Sequence, residues 1–176
     1  MHRGVFLSLY VISQVRVHTH PGQEGTSKEK SMPSLNAHVE QRLRTDPLVW
    51  LITVRPDGRP HVVPLWFFWD GQIFLIFSEP NTQKLRNLHQ NRHVTLALDG
   101  AGKLGYDVVV VEGTAELLNE TSLNLLKAYP AITEKYEALL HSMQEAGYVN
   151  KDRDLQALAT DYSQPIRVTP TKFWFG

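Results

Sequence analysis

Two tight-turn signals set inside one apolar stretch constrain this chain more than any other feature. Residues 48–55 (LVWLITVR) are rich in β-branched and aromatic side chains, and Pro56-Asp57-Gly58 then interrupts them. Proline presets φ and glycine accepts a positive φ, so the tripeptide is a turn with a mechanism. A second strand is expected over 60–69. Asp70-Gly71, a strong hairpin signal, follows it, and 72–78 is the third strand. Three strands joined by two tight turns make an antiparallel meander. Strands are further expected over 93–99, 107–118 and 164–175, which makes six. The Val108–Val111 run suggests burial on both faces of its strand.

Helical spacing fills the gaps. Ser34 can cap a helix carrying Leu35, Val39 and Leu43, which should stop before Pro47. A short helix is expected over 82–90, with Leu85 and Leu88 on one face. A longer one over 121–146 carries Leu125, Leu126, Tyr129, Ile132, Tyr136, Leu139, Leu140 and Met143; Pro130 should kink or split it, and Gly147 suits its C′ position. Residues 154–160 suit one or two more helical turns. Nothing alternates as βαβ, so a doubly wound parallel sheet is disfavoured. The expected fold is mainly β with flanking helices: a six-stranded antiparallel barrel or strongly curled sheet.

Eighteen basic side chains balance eighteen acidic ones in 176 residues. The chain as a whole therefore has no attraction for nucleic acid or anionic membrane, and any anion site must be local. With no cysteine, disulfides, thiolate metal sites and cysteine nucleophiles are excluded. No apolar run approaches the roughly 18 residues of a membrane helix. The apolar stretch 5–12 after Arg3 is short and lacks a small-residue cleavage pattern, which argues against a signal peptide. Residues 1–31 are read either as a mobile extension or as sequence upstream of a true start at Met32. A cytoplasmic location is the expectation.

Two segments could carry chemistry. In Phe77-Ser78-Glu79-Pro80-Asn81-Thr82-Gln83-Lys84 a strand ends and a helix begins with hydroxyls and a lysine in its first turn. A helix N-terminus offers unpaired N–H groups and partial positive charge, so the combination suits a phosphate. The plainer alternative is that Asn81 or Thr82 caps the helix while Lys84 sits in solvent. In His61-Val62-Val63-Pro64-Leu65-Trp66, proline within a strand marks an edge or bulge. Backbone groups freed there can face a planar heterocycle, or the strand is simply an edge with no ligand.

Alternation puts Trp66 and Phe68 on one face and Phe67 and Trp69 on the other; such a stripe is more often core or dimer interface than cofactor platform. Residues 100–105 (GAGKLG) look like a phosphate loop but lack Walker spacing and precede a strand, so they read as a hairpin loop. The eight histidines form no metal signature, and no GxSxG elbow occurs.

In order and spacing, these pieces resemble the pyridoxamine-phosphate-oxidase-like FMN-binding split barrels. The resemblance runs from about Leu35 to Phe175. It is carried by Asp46-Pro47-Leu48, Arg55-Pro56-Asp57-Gly58-Arg59-Pro60 leading into 61–67, Phe77-Ser78 with Thr82-Gln83-Lys84, Asn87-Leu88 and Asn91-Arg92-His93-Val94. Val111-Glu112-Gly113-Thr114-Ala115 and Ile166-Arg167-Val168-Thr169-Pro170-Thr171-Lys172 complete it.

The resemblance implies a homodimer with FMN at the subunit interface. His61, Val62, Val63, Pro64 and Leu65 would give mostly backbone contacts to the ring and ribityl chain. Ser78, Thr82, Gln83 and Lys84 would surround the phosphate. Tyr106 or Asp107 would approach from the partner, and Trp174 would close the site. The activity implied is flavin-dependent oxidation or reduction of a small organic molecule, with no catalytic side chain required because the flavin carries the redox chemistry.

Three departures stand out. Trp66 occupies the place of a lysine that holds substrate phosphate in the oxidase itself. The chain ends Lys172-Phe173-Trp174-Phe175-Gly176 without the C-terminal arginine-x-histidine. Gln83 stands where arginine often precedes the phosphate lysine. A weaker phosphate site or a different flavin is thereby left open. The resemblance is strongest to the shorter branch of the family, some of whose members use a deazaflavin coenzyme. The alternatives carried forward are a deazaflavin-dependent reductase and a flavin- or haem-binding module without turnover.

Overall fold

The structure, a computed structural model, describes residues 35–100 and 107–175. The extension at 1–31, the cap expected at Ser34 and the site residue Tyr106 lie outside them.

The first helix, α1 (Ala37–Thr45), is capped by Asn36, whose Oδ1 accepts from the Val39 N–H at 2.8 Å, and it stops before Pro47 as the proline demands. Strands β1 (Leu48–Val54) and β2 (Pro60–Trp66) pair antiparallel through the expected turn, with Gly58 at φ +83°. A short strand β3 (Phe68–Trp69) follows, then the Asp70-Gly71 hairpin into β4 (Phe74–Ser78). Asp70 Oδ1 accepts from the N–H groups of Gln72 and Ile73, both at 2.7 Å. Helix α2 (Gln83–Gln90), strands β5 (His93–Leu98) and β6 (Val109–Leu117), helices α3 (Ser122–Ala128), α4 (Pro130–Glu145) and α5 (Leu155–Asp161), and strand β7 (Gln164–Phe175) complete the chain. Pro130 splits the long helix and opens α4 at its first turn, where its missing N–H costs nothing. Gly147, at φ +79°, follows the helix end.

The seven strands run β2-β1-β5-β6-β7-β4-β3, all antiparallel. The expected six become seven because the second strand breaks at Phe67: its first part pairs with β1 and its last two residues with β4. That break closes the architecture. β2 and β3 lie at opposite ends of the strand order yet are one residue apart in the chain, so the sheet must curl until its ends meet.

Alternation along the strands fills the interior. Val49 and Leu51, Phe67 and Trp69, Phe74 and Ile76, and Leu96 and Leu98 are buried there. The other face of β4 carries Leu75 and Phe77, which pack against Leu125, Ile132, Tyr136 and Leu140 of α3 and α4. The expected division of the aromatic run holds: Phe67 and Trp69 enter the barrel core, and Trp66 and Phe68 pack against the helical layer. The expectation for Val108–Val111 does not hold. Val109 and Val111 are buried, Val110 is half-buried and Val108 is exposed, because the helices cover β4 rather than this part of the sheet.

At Gly113 a Cβ would lie 2.8 Å from the Thr169 carbonyl oxygen, beside the bulge where β6 and β7 slip register. β5 and β6 are antiparallel neighbours; the loop expected over 100–105 lies, after Gly100, outside the described residues. Among the described residues no helix is long and apolar enough to cross a membrane.

Candidate functional site

Pairing of β4 with β7 ends at Ser78 opposite Gln164, and the chain then turns sharply into α2. Asn81 takes φ +61°, a left-handed conformation that asparagine tolerates better than most residues. Arg86 steadies the turn: its Nη1 donates to the Asn81 carbonyl at 2.6 Å and its Nη2 to Gln83 Oε1 at 3.0 Å. Thr82 sits at the N-cap, yet its side chain makes no capping bond to the helix. Ser78 is fully buried; its hydroxyl donates to the Glu79 carbonyl at 2.8 Å and lies 3.4 Å from Thr82 Oγ1.

Lys84 is not in solvent. It is 8% exposed, and among the described residues it makes no hydrogen bond or ion pair. Burial pushes its pKa below the usual lysine value, with the Glu79 carboxylate partly offsetting this. His61 on β2 is its neighbour. Burial pushes His61 below its ordinary 6.5, and the positive charges of Arg55 and Lys84 push it further. His61 Nδ1 is buried with no partner. Arg55 and Lys84, from two other parts of the chain, thus both lie near enough to His61 for their charges to act on it.

A buried relay fixes this geometry. Gln83 Nε2 donates to Asn87 Oδ1 at 2.7 Å, Asn87 Nδ2 donates to Thr53 Oγ1 at 2.9 Å, and Thr53 Oγ1 donates to the His61 carbonyl at 3.4 Å. It ties α2 to β1 and β2. Gln83 therefore supports the site through Asn87. Arg55 as a charge, Thr53 and Asn87 were not among the expected site residues. The Gln83–Asn87 spacing of four, which places both on one helix face, was the available signal for Asn87.

Farther along, β2 borders a cavity of about 260 Å³. Pro64, Leu65, Trp66 and Phe77 line it from the sheet, and Tyr136 and Tyr162 from the helical layer. β2 is an edge strand, as its proline implies. His61, Val63 and Leu65 turn toward the barrel. Val62 and Pro64 turn outward and are exposed. Burial, followed by the Glu79 carboxylate, raises the Tyr162 pKa, so the cavity's tyrosine end lies toward the turn that leads to Lys84.

Trp174 and Asp107 are not brought to this cluster within one chain. Ser78 pairs with the first residue of β7, whereas Trp174 is near its last, paired with Val110 and donating from Nε1 to Glu112 Oε1 at 3.2 Å. Asp107 precedes β6 at that far end. It is held by His38 at 2.9 Å, whose hydrogen bond draws its carboxyl below the usual range.

A curled antiparallel barrel with helices packed on one side, and a basic cluster at the start of a helix, defines a split-barrel protein. The chain belongs to the pyridoxamine 5'-phosphate oxidase family, whose model matches residues 35–165. Curated protein sequences offer no match. Among solved structures, one named as an F420 reductase is 25% identical, with a TM-score of 0.52, covering 77% of this chain and 94% of its own. An FAD-binding protein from Mesorhizobium loti is 23% identical, with a TM-score of 0.52 and coverage of 79% and 92%. HutZ, the haem-storage protein of Vibrio cholerae, is 14% identical, with a TM-score of 0.55 and coverage of 80% and 94%. The last two show the shared fold.

Proposed function

We propose that this chain is a flavin-dependent oxidoreductase that holds the phosphate of FMN at the start of α2. The observation that carries the reading is Lys84: a side chain 8% exposed, with no hydrogen bond or ion pair among the described residues, whose charge acts on an unpartnered His61. Burying a cation without a partner is costly, and an anion drawn into the cluster removes that cost.

Lys84, Ser78 and Thr82 would hold the phosphate, with Arg55 adding charge and His61 a ring nitrogen that has no partner of its own. Gln83 acts by keeping Asn87 and α2 in place. His61, Val62, Val63, Pro64 and Leu65 form the strand along which the rest of the cofactor would lie. From His61 to Leu65 that strand rises about 13 Å. Bound flavin would supply hydride transfer; the chain supplies binding, orientation and exclusion of water.

A homodimer belongs to the same reading. Leu48 and Trp50 on β1, Val62 on β2 and Trp174 on β7 are large apolar side chains left exposed, Trp50 at 41% and Trp174 at 50%. In a dimer, Asp107 and Trp174 of one subunit could complete the site of the other. Tyr106, which the resemblance assigns alongside Asp107, belongs to the same proposal.

The test is FMN titration of the purified chain followed by gel filtration. Flavin absorbance that travels with a dimeric peak is the expected result. Lys84→Ala should weaken binding by about 1.5–3 kcal/mol, roughly ten- to a hundredfold; unchanged affinity removes the phosphate role.

A second reading is favoured by the F420 reductase, 25% identical over most of both chains. Under it the coenzyme is the deazaflavin F420, its anionic tail lying against the same Arg55–His61–Lys84 cluster. A colourless protein that fails to retain FMN but binds F420 would select it.

A further inference from the structure

We propose that the cavity between β2 and the α4–α5 layer is the substrate site, and that it takes an uncharged, largely apolar ring compound with one hydrogen-bonding group directed to the Tyr162 hydroxyl. The inference rests on the flavin-enzyme reading, because it uses the position of the cavity beside the strand that would carry the cofactor.

Chemistry argues for the substrate class. None of the side chains lining the cavity is charged. A carboxylate or phosphate taken there would lose its hydration with nothing to replace it. The walls are aliphatic and aromatic: Leu65, Trp66 and Phe77 on the sheet side, Met143, Leu155 and Leu158 on the helix side. The aromatic wall is held still. Tyr136 packs edge-on against both Trp66, at 5.7 Å between centroids, and Phe77, at 5.2 Å. An apolar cavity of about 150 Å³ suffices for one benzene ring, so about 260 Å³ suits one or two fused rings.

Few polar groups face the cavity. The Tyr136 hydroxyl is buried behind the wall without a partner and out of a ligand's reach. Tyr162 lines the cavity, is half-buried, and its hydroxyl makes no hydrogen bond among the described residues. Of the lining side chains only it and Trp66, whose indole N–H also has no partner among the described residues, carry a polar group free to select orientation, and the hydroxyl alone can both donate and accept.

Two features of the layout link this cavity to the anion cluster. β4 passes Phe77 in the cavity wall and ends at Ser78, and β2 runs from His61 near Lys84 to Trp66 in the wall. A molecule in the cavity would lie against the far end of whatever the cluster anchors.

The test uses the full chain, with and without saturating FMN, and two fluorescent probes: 2-naphthol and 2-naphthyl phosphate. 2-Naphthol is expected to bind at least tenfold more tightly than the phosphate. Leu158→Glu, with Met143→Glu as a second, more exposed position, should weaken it at least tenfold while leaving FMN affinity unchanged. Tyr162→Phe should weaken 2-naphthol several-fold but leave naphthalene unaffected, a distinction that a merely structural effect would not produce.

Equal or tighter binding of 2-naphthyl phosphate overturns the proposal. So does indifference to both glutamates, or loss of 2-naphthol binding on saturation with FMN, which would make the cavity the seat of the flavin ring itself. A chain that shows the expected 2-naphthol pattern but retains no FMN upholds the cavity as the apolar site and sinks only the flavin reading.

Discussion

Two buried cations sit at different places in this barrel and have opposite surroundings. Arg42, on α1, is 4% exposed and saturated. Its guanidinium donates to Asp46 Oδ2 at 2.5 Å and to the Asp99 carbonyl at 2.6 Å, and it also bonds the Asp107 carbonyl. Lys84, on α2, is 8% exposed and has none of this. Arginine's planar fork suits a site whose acceptors are all built in, and it ties α1 to the ends of β5 and β6. A lysine with no hydrogen bond or ion pair among the described residues, near His61 and with only the Glu79 carboxylate partly offsetting its burial, suits a site whose acceptor arrives from outside. Under the proposed function, the contrast is between a charge that holds the fold and one that awaits a ligand.

The sharpest break of that contrast is stability. Arg42→Ala strands Asp46 and two carbonyls and should cost about 3 kcal/mol in urea unfolding of the ligand-free protein. Lys84→Met should instead hold stability or raise it by up to about 1 kcal/mol, because it removes a charge whose burial Glu79 only partly offsets. A comparable loss from both would mean that Lys84 has a structural partner after all.

Next in size is the relay. Asn87→Ala leaves Gln83 and Thr53 without their buried partner and should cost about 2 kcal/mol, with weaker FMN binding in the same variant. An Asn87→Ala protein of full stability would show that α2 is held by apolar packing alone.

The two places should also answer to pH in different windows. His61 has a folded pKa below 6.5, so between that lower value and 6.5 the unfolded chain binds more protons at this position. The ligand-free protein should therefore gain stability as pH rises toward about 6.5 and level off above it, and His61→Gln should flatten the slope. Asp107 has a folded pKa below 3.8. Its contribution is present above that value and disappears as pH falls through the lowered one. Unfolding measured from about pH 3 to 8 separates the windows, and a bound anion should shrink only the first.

The smallest effect is Arg86→Ala. This exposed side chain steadies the Asn81 turn, so its loss should cost about 0.5 kcal/mol and weaken FMN only about twofold. A larger loss of affinity would place Arg86 in contact with the cofactor.

Most of the fold was legible because strand and turn signals are local. Pro56-Asp57-Gly58, Asp70-Gly71 and Pro130 act through their own φ angles and missing N–H groups, whatever surrounds them. The break at Phe67 was not legible, since the run Leu65-Trp66-Phe67-Phe68-Trp69 has no breaker in it. Barrel closure divides it: the two halves must pair with strands at opposite ends of the order. The exposure of Val108 was hidden for a similar reason, since a run of valines does not say which part of a sheet the helices will cover.

The candidate site divides along the same line. The sequence by itself determined that a strand ending at Ser78 leads into a helix starting with Thr82 and Lys84, and that Pro64 marks an edge strand. Only the tertiary structure decided that Lys84 is buried without an ion pair, that it and Arg55 both lie near His61, that Asn87 bonds Thr53, and that an uncharged cavity lies against Pro64 and Trp66. The reason is range. Turn and cap preferences act over a few residues, whereas desolvation and charge proximity depend on what the folded chain brings within a few ångströms, here from segments more than twenty residues apart.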